Sequence, residues 1–331
     1  MSDVKLQLNL TNSSTKVQNL VDALSNAINQ GLFKPGDALP SVNEISKEHN
    51  LSRDTVFKAY QELKQRGLVD STPAKGYHVI ESLTKILLML DVYSPFKDVL
   101  YNAFVKNLPK NYKVDLVFHF YNERVFEAVM FDSIGRYNYY VVMNFHTEIF
   151  HDVLKKIDSS KLLILDLGDF EKGNYAYVCQ DFGKSVYNCL VSGLDLLKKY
   201  QNFVLYFPDE SEHPRITIKY FKKFCKDNNL HFEIAKTIQS KEFKLGTAYF
   251  IIRQKDVVDV VKLCREKNLK VGAEIGLIAY NDNPMYEIIE NGITVISTDF
   301  TEMGTKAAQF ICTKQKVQEF IPTHLIRRGS L

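Results

Sequence analysis

No Cys-x-x-Cys pair occurs in this sequence, and its five cysteines (Cys179, Cys189, Cys225, Cys264 and Cys312) are odd in number and far apart. That spacing argues against a zinc site or a disulfide framework and for buried thiols in a reducing compartment. Long apolar runs are missing too. Ile86 to Leu90 is only strand-sized, far from the roughly 20 residues of a membrane-spanning helix. The opening Met1-Ser2-Asp3-Val4-Lys5 lacks a basic stretch followed by an apolar core, so no export signal is read and a cytoplasmic location, without a membrane partner, is expected. Charge of one sign is scarce: 42 basic against 39 acidic residues leave +3. Nucleic-acid binding therefore has to be argued from a local footprint. Internal repeats and low-complexity segments are absent as well.

Catalytic signatures are equally lacking. The sequence holds no Gly-x-x-x-x-Gly-Lys-Ser/Thr, no Gly-x-Gly-x-x-Gly, no Gly-x-Ser-x-Gly and no His-Glu-x-x-His, the patterns that cradle phosphates, mount a nucleophile or bind zinc. Its eight histidines stand without ligand spacing. Asp166 and Asp169 form an acidic pair, but two loop carboxylates are more often solvated than catalytic. Neither an enzyme, a cofactor nor a metal is expected.

What is present is an ordinary globular composition, 45% hydrophobic and 24% charged, over a length suited to two domains. The pattern changes near residue 80. Short helical patterns and a hairpin precede it, and alternating strand-like and helix-like runs follow. We read a head at 1–80, a linker at 81–84 and an α/β body at 85–331.

In the head, Val17, Leu20, Val21, Leu24 and Ile28 make one apolar helical stripe, ending near Asn29-Gln30-Gly31. Pro35-Gly36 marks a turn. Ser41 and Glu44 have capping-box spacing and open a short second helix that stops near His49-Asn50. Ser52 is the candidate N-cap of a third helix. Its buried stripe is Val56, Ala59, Tyr60 and Leu63, which leaves Arg53, Asp54, Phe57 and Lys58 facing out. Two helices joined by a tight turn, the second with an exposed polar start, are a helix-turn-helix, whose second helix enters the major groove. Leu68–Thr72 and Tyr77–Ile80 read as strands around the tip Pro73-Ala74-Lys75-Gly76, a wing that can meet phosphate. From Ser46 to Val79 six bases stand against four acids, so the ordered motif carries more weight than the charge.

Residues 16–79 resemble the DNA-binding domain of the GntR regulator family. The resemblance rests on Gly31, Pro35-Gly36, Leu39-Pro40-Ser41, Glu44-Ile45, Leu51-Ser52-Arg53, Thr55-Val56, Ala59-Tyr60, Leu63, Gly67-Leu68 and Gly76-Tyr77. It implies DNA contacts by Ser41, Ser52, Arg53, Thr55, Lys75 and Gly76. Asp54 and Lys58 on the exposed face, and Tyr77 beside the wing tip, complete the candidate set. Asn43 and Phe57 stand where many members have arginines, which implies an altered operator sequence.

In the body, strand-like runs at 85–93, 114–120, 137–143, 162–167, 202–207, 248–252, 275–280 and 292–297 alternate with helix-like runs at 96–108, 124–132, after Asp181 as far as Leu197, and at 214–225, 257–264 and 305–311. Open α/β sheets bind ligands beyond the C-terminal ends of their strands. Those ends carry Asp91-Val92-Tyr93-Ser94, Asn144-Phe145-His146, Asp166, Asp209 and Asn281-Asp282. Such a polar and aromatic collection suits a sugar, although each residue taken singly also reads as an ordinary polar loop residue.

Residues 84–331 resemble the effector domain of the LacI family, built like type I periplasmic sugar-binding proteins. The matching pieces are the strand into Ser94-Pro95-Phe96, Gln180-Asp181-Phe182-Gly183, Gly276 to Asp282, Gly292-Ile293-Thr294-Val295, the helix with Gly304 and Ala307-Ala308, and the closing Leu325 to Ser330. The resemblance implies a two-lobed α/β/α domain closing on a sugar, with Phe96, Asp181 and Asp282 as effector contacts. Arg215 substitutes for a family arginine, Arg253 replaces a usual Asn-Asp, and Tyr93 adds an aromatic face. The expected fold is thus an α/β protein with an N-terminal winged helix-turn-helix and a periplasmic-binding-protein-like effector domain.

A GntR head on a LacI-like body is similar to regulators of the arabinose-repressor type. The expectation is a homodimer that binds a palindromic double-stranded DNA operator. It would sense a monosaccharide or its phosphate, such as a pentose or deoxyhexose, and act as a repressor. Two alternatives stay open: a sugar-binding transport-associated protein, which would need export, and an enzyme acting on a sugar phosphate, for which no nucleophile or base is found.

Overall fold

The computed structural model describes residues 15–29, 31–73, 76–80, 83–146, 148–168, 170–238 and 243–331. The chain divides into a unit ending at Thr84 and a unit from Lys85 to Leu331. Among the described residues no helix is long and apolar enough to cross a membrane. All five cysteines are free. Four are buried, but Cys312 is exposed.

The head holds α1 (Lys16–Asn29), α2 (Val42–Glu48), α3 (Arg53–Gln65), β1 (Val69–Thr72) and β2 (Gly76–Val79). Leu20, Val21 and Leu24 of α1 meet Ile45 of α2 and Val56, Ala59, Tyr60 and Leu63 of α3 in one core. The capping box forms as spaced. Glu44 N–H donates to Ser41 Oγ (3.2 Å) and Ser41 N–H to the Glu44 carboxylate (2.6 Å). Strands β1 and β2 pair antiparallel, Val69 opposite Val79 and Thr72 opposite Gly76. Wing-tip residues 74 and 75, and linker residues 81 and 82, lie outside the described residues.

The body is two six-stranded sheets, each flanked by helices. Its first part runs β3 (Thr84–Leu90), α4 (Pro95–Lys106), β4 (Tyr112–Phe118), α5 (Glu123–Ser133), β5 (Tyr139–Val142), β6 (Leu162–Asp166) and β7 (Ala176–Gln180). Then come α6 (Lys184–Ser192), α7 (Leu194–Leu197), β8 (Asn202–Tyr206), α8 (Ile216–Asp227), β9 (Phe232–Ala235), β10 (Thr247–Ile251), α9 (Gln254–Glu266), β11 (Ile275–Tyr280) and β12 (Thr294–Thr298). Last are α10 (Phe300–Thr313), β13 (Gln318–Ile321) and β14 (Thr323–Ile326). The first lobe's sheet has the order β13-β7-β6-β5-β3-β4 and the second lobe's β14-β12-β11-β10-β8-β9. β14 runs antiparallel to β12.

The chain passes between lobes three times: after β7, between β12 and α10, and between β13 and β14. Helix α10 returns to the first lobe, where Met303, Ala307, Ala308 and Ile311 pack with Ile86, Leu88 and Leu163. The single helix expected after Asp181 is two. It breaks at Gly193, where a Cβ would lie 2.7 Å from the Leu325 side chain. Strands β7, β9, β13 and β14 are absent from the sequence reading. β9, β13 and β14 are four-residue strands with largely exposed or half-buried side chains, so they carry little hydrophobic signal of their own.

Candidate functional site

The first turn of α3 is the exposed end of the head. Arg53, Asp54, Phe57 and Lys58 are solvent-facing, while Val56, Ala59 and Tyr60 are buried. Ser52 caps the helix. Its Oγ accepts the Thr55 N–H (3.1 Å) and shares a hydrogen bond with Thr55 Oγ1 (2.7 Å). Ser41 and Ser52 are therefore first of all helix caps. The cations nearby differ in availability. Lys58 pairs with Asp54 (2.8 Å), Lys64 with Asp70 (2.8 Å) and Arg66 with Glu62 (3.0 Å). Arg53 has no salt-bridge partner among the described residues, so its guanidinium is unspent.

One residue organises this face. Tyr60 is fully buried; its hydroxyl donates to the Pro40 carbonyl, and its ring lies 4.5 Å from that of Tyr77. Gln61 Nε2 donates to the Tyr77 hydroxyl (3.0 Å), so Tyr77 fastens the wing to α3 from inside. The segment before α2 joins the wing as well: Leu39 N–H donates to Tyr77 O (2.8 Å) and Val79 N–H to Asp37 O (2.9 Å). The Leu-Pro-Ser segment, α3 and the wing strands are thus joined by hydrogen bonds and one ring contact. Gly76 adopts φ +65°, in the left-handed region that favours glycine. Lys75 lies outside the described residues.

In the body, the C-terminal ends of both sheets surround a cleft of about 670 Å³, within the usual size for a small-molecule site. Tyr93, Phe96 and Arg253 line it, as do Asp91, Lys97, Tyr121, Asp166, Gln180, His213 and Tyr280. Asp181, Arg215 and Asp282 are not among the lining residues. Asp181 is occupied at the start of α6, accepting from the N–H groups of Gly183 (2.9 Å), Lys184 (3.1 Å) and Ser185 (2.9 Å). Asp282 forms a two-pronged ion pair with Arg328 (2.8 and 2.7 Å), which fastens the closing segment. Arg215 sits exposed at the N-cap of α8, beside Lys219 and Lys222. Asn144 is spent holding its own loop, and Asp209 pairs with Lys236 (2.8 Å).

At the cleft floor, Lys97 and Asp91 are 4% and 3% exposed and in direct contact. Lys97 stands in the first turn of α4, where the helix dipole opposes a cation, and burial lowers its pKa to about 8 against the pull of Asp166. The Tyr121 hydroxyl donates to Asp91 (2.7 Å). Burial raises the Asp166 carboxyl, while Lys97 and a hydrogen bond from Gln180 act the other way. Gln180 Oε1 also accepts from the hydroxyls of Tyr280 (3.0 Å) and Thr298 (3.0 Å), and Thr298 shares a hydrogen bond with Thr323 (2.9 Å). Gln180, Thr298 and Thr323 each belong to a different passage between the lobes, so the polar floor is tied to all three. Lys97, Tyr121, Gln180, His213 and Tyr280 are not among the effector contacts expected from sequence. Only Lys97 has a local signal, as a lysine in a helix's first turn.

Two body histidines are held neutral by burial. His213, ringed by Phe182, Phe207 and Tyr280, is pushed down to about 3, and His119, also disfavoured by Lys97, to about 4. The unfolded chain protonates near 6.5. Below that pH it binds protons the folded form refuses, so the body loses about 1.4 kcal/mol per pH unit for each histidine. Lowering the pH from 7 to 5 is expected to lower the melting temperature, and His119→Phe to lessen the drop. A melting temperature flat over that range contradicts this assignment.

Glu123, His146 and His151 also converge, with the His Nε2 atoms 3.3 and 3.5 Å from Glu123 Oε1. His151 Nδ1 accepts the Val153 N–H (3.3 Å).

Residues 16–79 match the family profile of bacterial regulatory proteins of the gntR family, and 196–331 that of the periplasmic binding protein-like domain. The HTH-type transcriptional regulator YjiR of Escherichia coli is 42% identical over 67 residues, 20% of this chain and 14% of that protein, so the chain spans far less than two thirds of it. Among solved structures, the trehalose repressor from Escherichia coli superposes with a TM-score of 0.63 at 15% identity, covering 74% of this chain and 100% of that one. A LacI family transcriptional regulator from Lactobacillus casei with bound glucose gives 0.59 at 14%, covering 75% and 99%. At such identities the likeness is one of fold.

Proposed function

From a chain that carries a GntR-family helix-turn-helix domain ahead of a periplasmic-binding-protein-like domain, we propose a cytoplasmic transcription regulator that binds DNA with the first and senses a small sugar with the second. One observation carries the DNA half. The start of α3 is solvent-facing, holds the unspent Arg53, and is locked to a wing through Tyr60 and Tyr77. Such a helix enters a major groove and reads base edges with its first turn, while the wing and cap hydroxyls meet phosphates. Ser41, Ser52, Arg53, Thr55, Gly76 and Lys75 are the proposed contacts. Lys58 would first have to leave Asp54.

The cleft supports the sensing half through size, aromatic walls and polar floor; the glucose bound to the Lactobacillus casei regulator is in keeping with it. Two chains pair through their bodies and present two heads to a palindromic operator. A sugar stabilises one lobe arrangement, DNA another, and the two equilibria are linked, so sugar releases the repressor from its site.

The test is selection of duplexes from a genomic library by the purified chain, followed by mobility shifts with and without monosaccharides. Enrichment of a two-fold symmetric sequence, released by one sugar, is the expected result. No enrichment over random duplex at physiological salt, where non-specific binding is already weak, sinks the DNA half. An operator complex indifferent to every sugar, with no rise in melting temperature, sinks the sensing half.

A further inference from the structure

The cations in the cleft's interior are already paired. Lys97 touches Asp91 and lies in the field of Asp166. Arg253 is held by Asp256 at 2.5 and 3.0 Å and by Glu210 at 2.8 Å. His213 stays neutral, its pKa near 3 because of burial. The remaining lysine, Lys255, is exposed at the rim in the field of Glu210. Against these, the lining carries the carboxyl groups of Asp91, Asp166, Glu210 and Glu212. A phosphate or carboxylate drawn into the interior of this space would give up its water and, among the described residues, find no unpaired cation there, Lys255 standing at the exposed rim, and burying an unpaired charge costs several kcal/mol.

What the lining does offer is sites for hydroxyl groups. Ser94 Oγ and Asn281 Oδ1 are buried and without a hydrogen-bond partner among the described residues, and both residues face the cleft. Ser94 can donate or accept; the Asn281 carbonyl and the Asp166 carboxyl accept. A deprotonated phosphate has only acceptors and cannot serve Asn281 Oδ1, whereas a sugar hydroxyl does both. Phe96, Tyr121, Phe182 and Tyr280 supply ring faces for C–H groups.

Resting on the sugar-sensing reading above, we infer that the effector is a polyhydroxyl compound without a phosphate or acid group, and that the cleft discriminates against sugar phosphates and sugar acids.

The experiment is titration calorimetry on the full chain at neutral pH. The panel holds neutral pentoses, hexoses and deoxyhexoses, their phosphate esters and their acids. The expected result is that a neutral sugar binds at least about tenfold more tightly than its phosphate and its acid, since one unpaired buried charge outweighs the 1.4 kcal/mol of a tenfold change. Glu210→Gln, an exposed change that leaves Arg253 held only by Asp256, is expected to narrow the gap for the phosphate without tightening the parent sugar. A phosphate or acid that binds as tightly as its neutral parent overturns the inference while leaving sugar sensing intact. Binding of none of them removes sugar sensing itself, and this inference with it.

Discussion

Arg53→Ala is expected to weaken operator binding by about tenfold to a hundredfold, since a good side-chain contact to a base is worth about 1–3 kcal/mol. The melting temperature should hold, because the side chain is exposed and has no salt-bridge partner among the described residues. The neighbouring Lys58→Ala should cost far less, its charge being already offset by Asp54 at 2.8 Å. The manner of the loss identifies the contact. If Arg53 reads a base edge, the variant relaxes preference at one operator position. If it meets phosphate, every duplex weakens alike and the salt dependence shallows by about one unit. Unchanged affinity and preference would remove Arg53 from the interface.

Gly304→Ala should unsettle the first lobe, although alanine is the better helix former by about 1 kcal/mol. Gly304 lies inside α10 where it crosses α4, and a Cβ there would stand 2.3 Å from the Leu100 carbonyl oxygen and 2.9 Å from the Phe104 nitrogen. Both neighbours are helix backbone, so no side chain can swing aside. The two helices must move apart, opening the contacts of Met303 and Ala307 with the core below. Overpacking of this kind costs about 1–3 kcal/mol or more, enough to cancel the propensity gain and leave a net loss. A drop of several degrees in melting temperature is expected, larger for Gly304→Val. A rise in thermal stability would mean that the helices do not approach so closely.

Much of the head is written in local sequence. Ser41 and Glu44 are three residues apart, and the apolar stripe of α3 repeats at helical spacing, so cap and buried face follow from neighbours along the chain. The role of Tyr60 is not local. It joins α3 to Pro40 and to Tyr77, 20 residues before it and 17 after, and only the folded head shows one hydroxyl and one ring uniting three segments.

The body divides in the same way. Its alternating strands and helices are legible because burial imposes a period on each element. Which polar strand ends become a cleft is not. Asp181 and Asp282 have the residue type and position of ligand contacts, yet a helix start and Arg328 claim them. Lys97, Gln180 and His213 give the cleft its chemistry from distant parts of the chain. Sequence by itself determined the elements and the order of the two units, because helix caps and apolar periods act over a few residues. Only the tertiary structure decided which polar groups face the same space and which already have partners, because ion pairing and burial depend on distance through space.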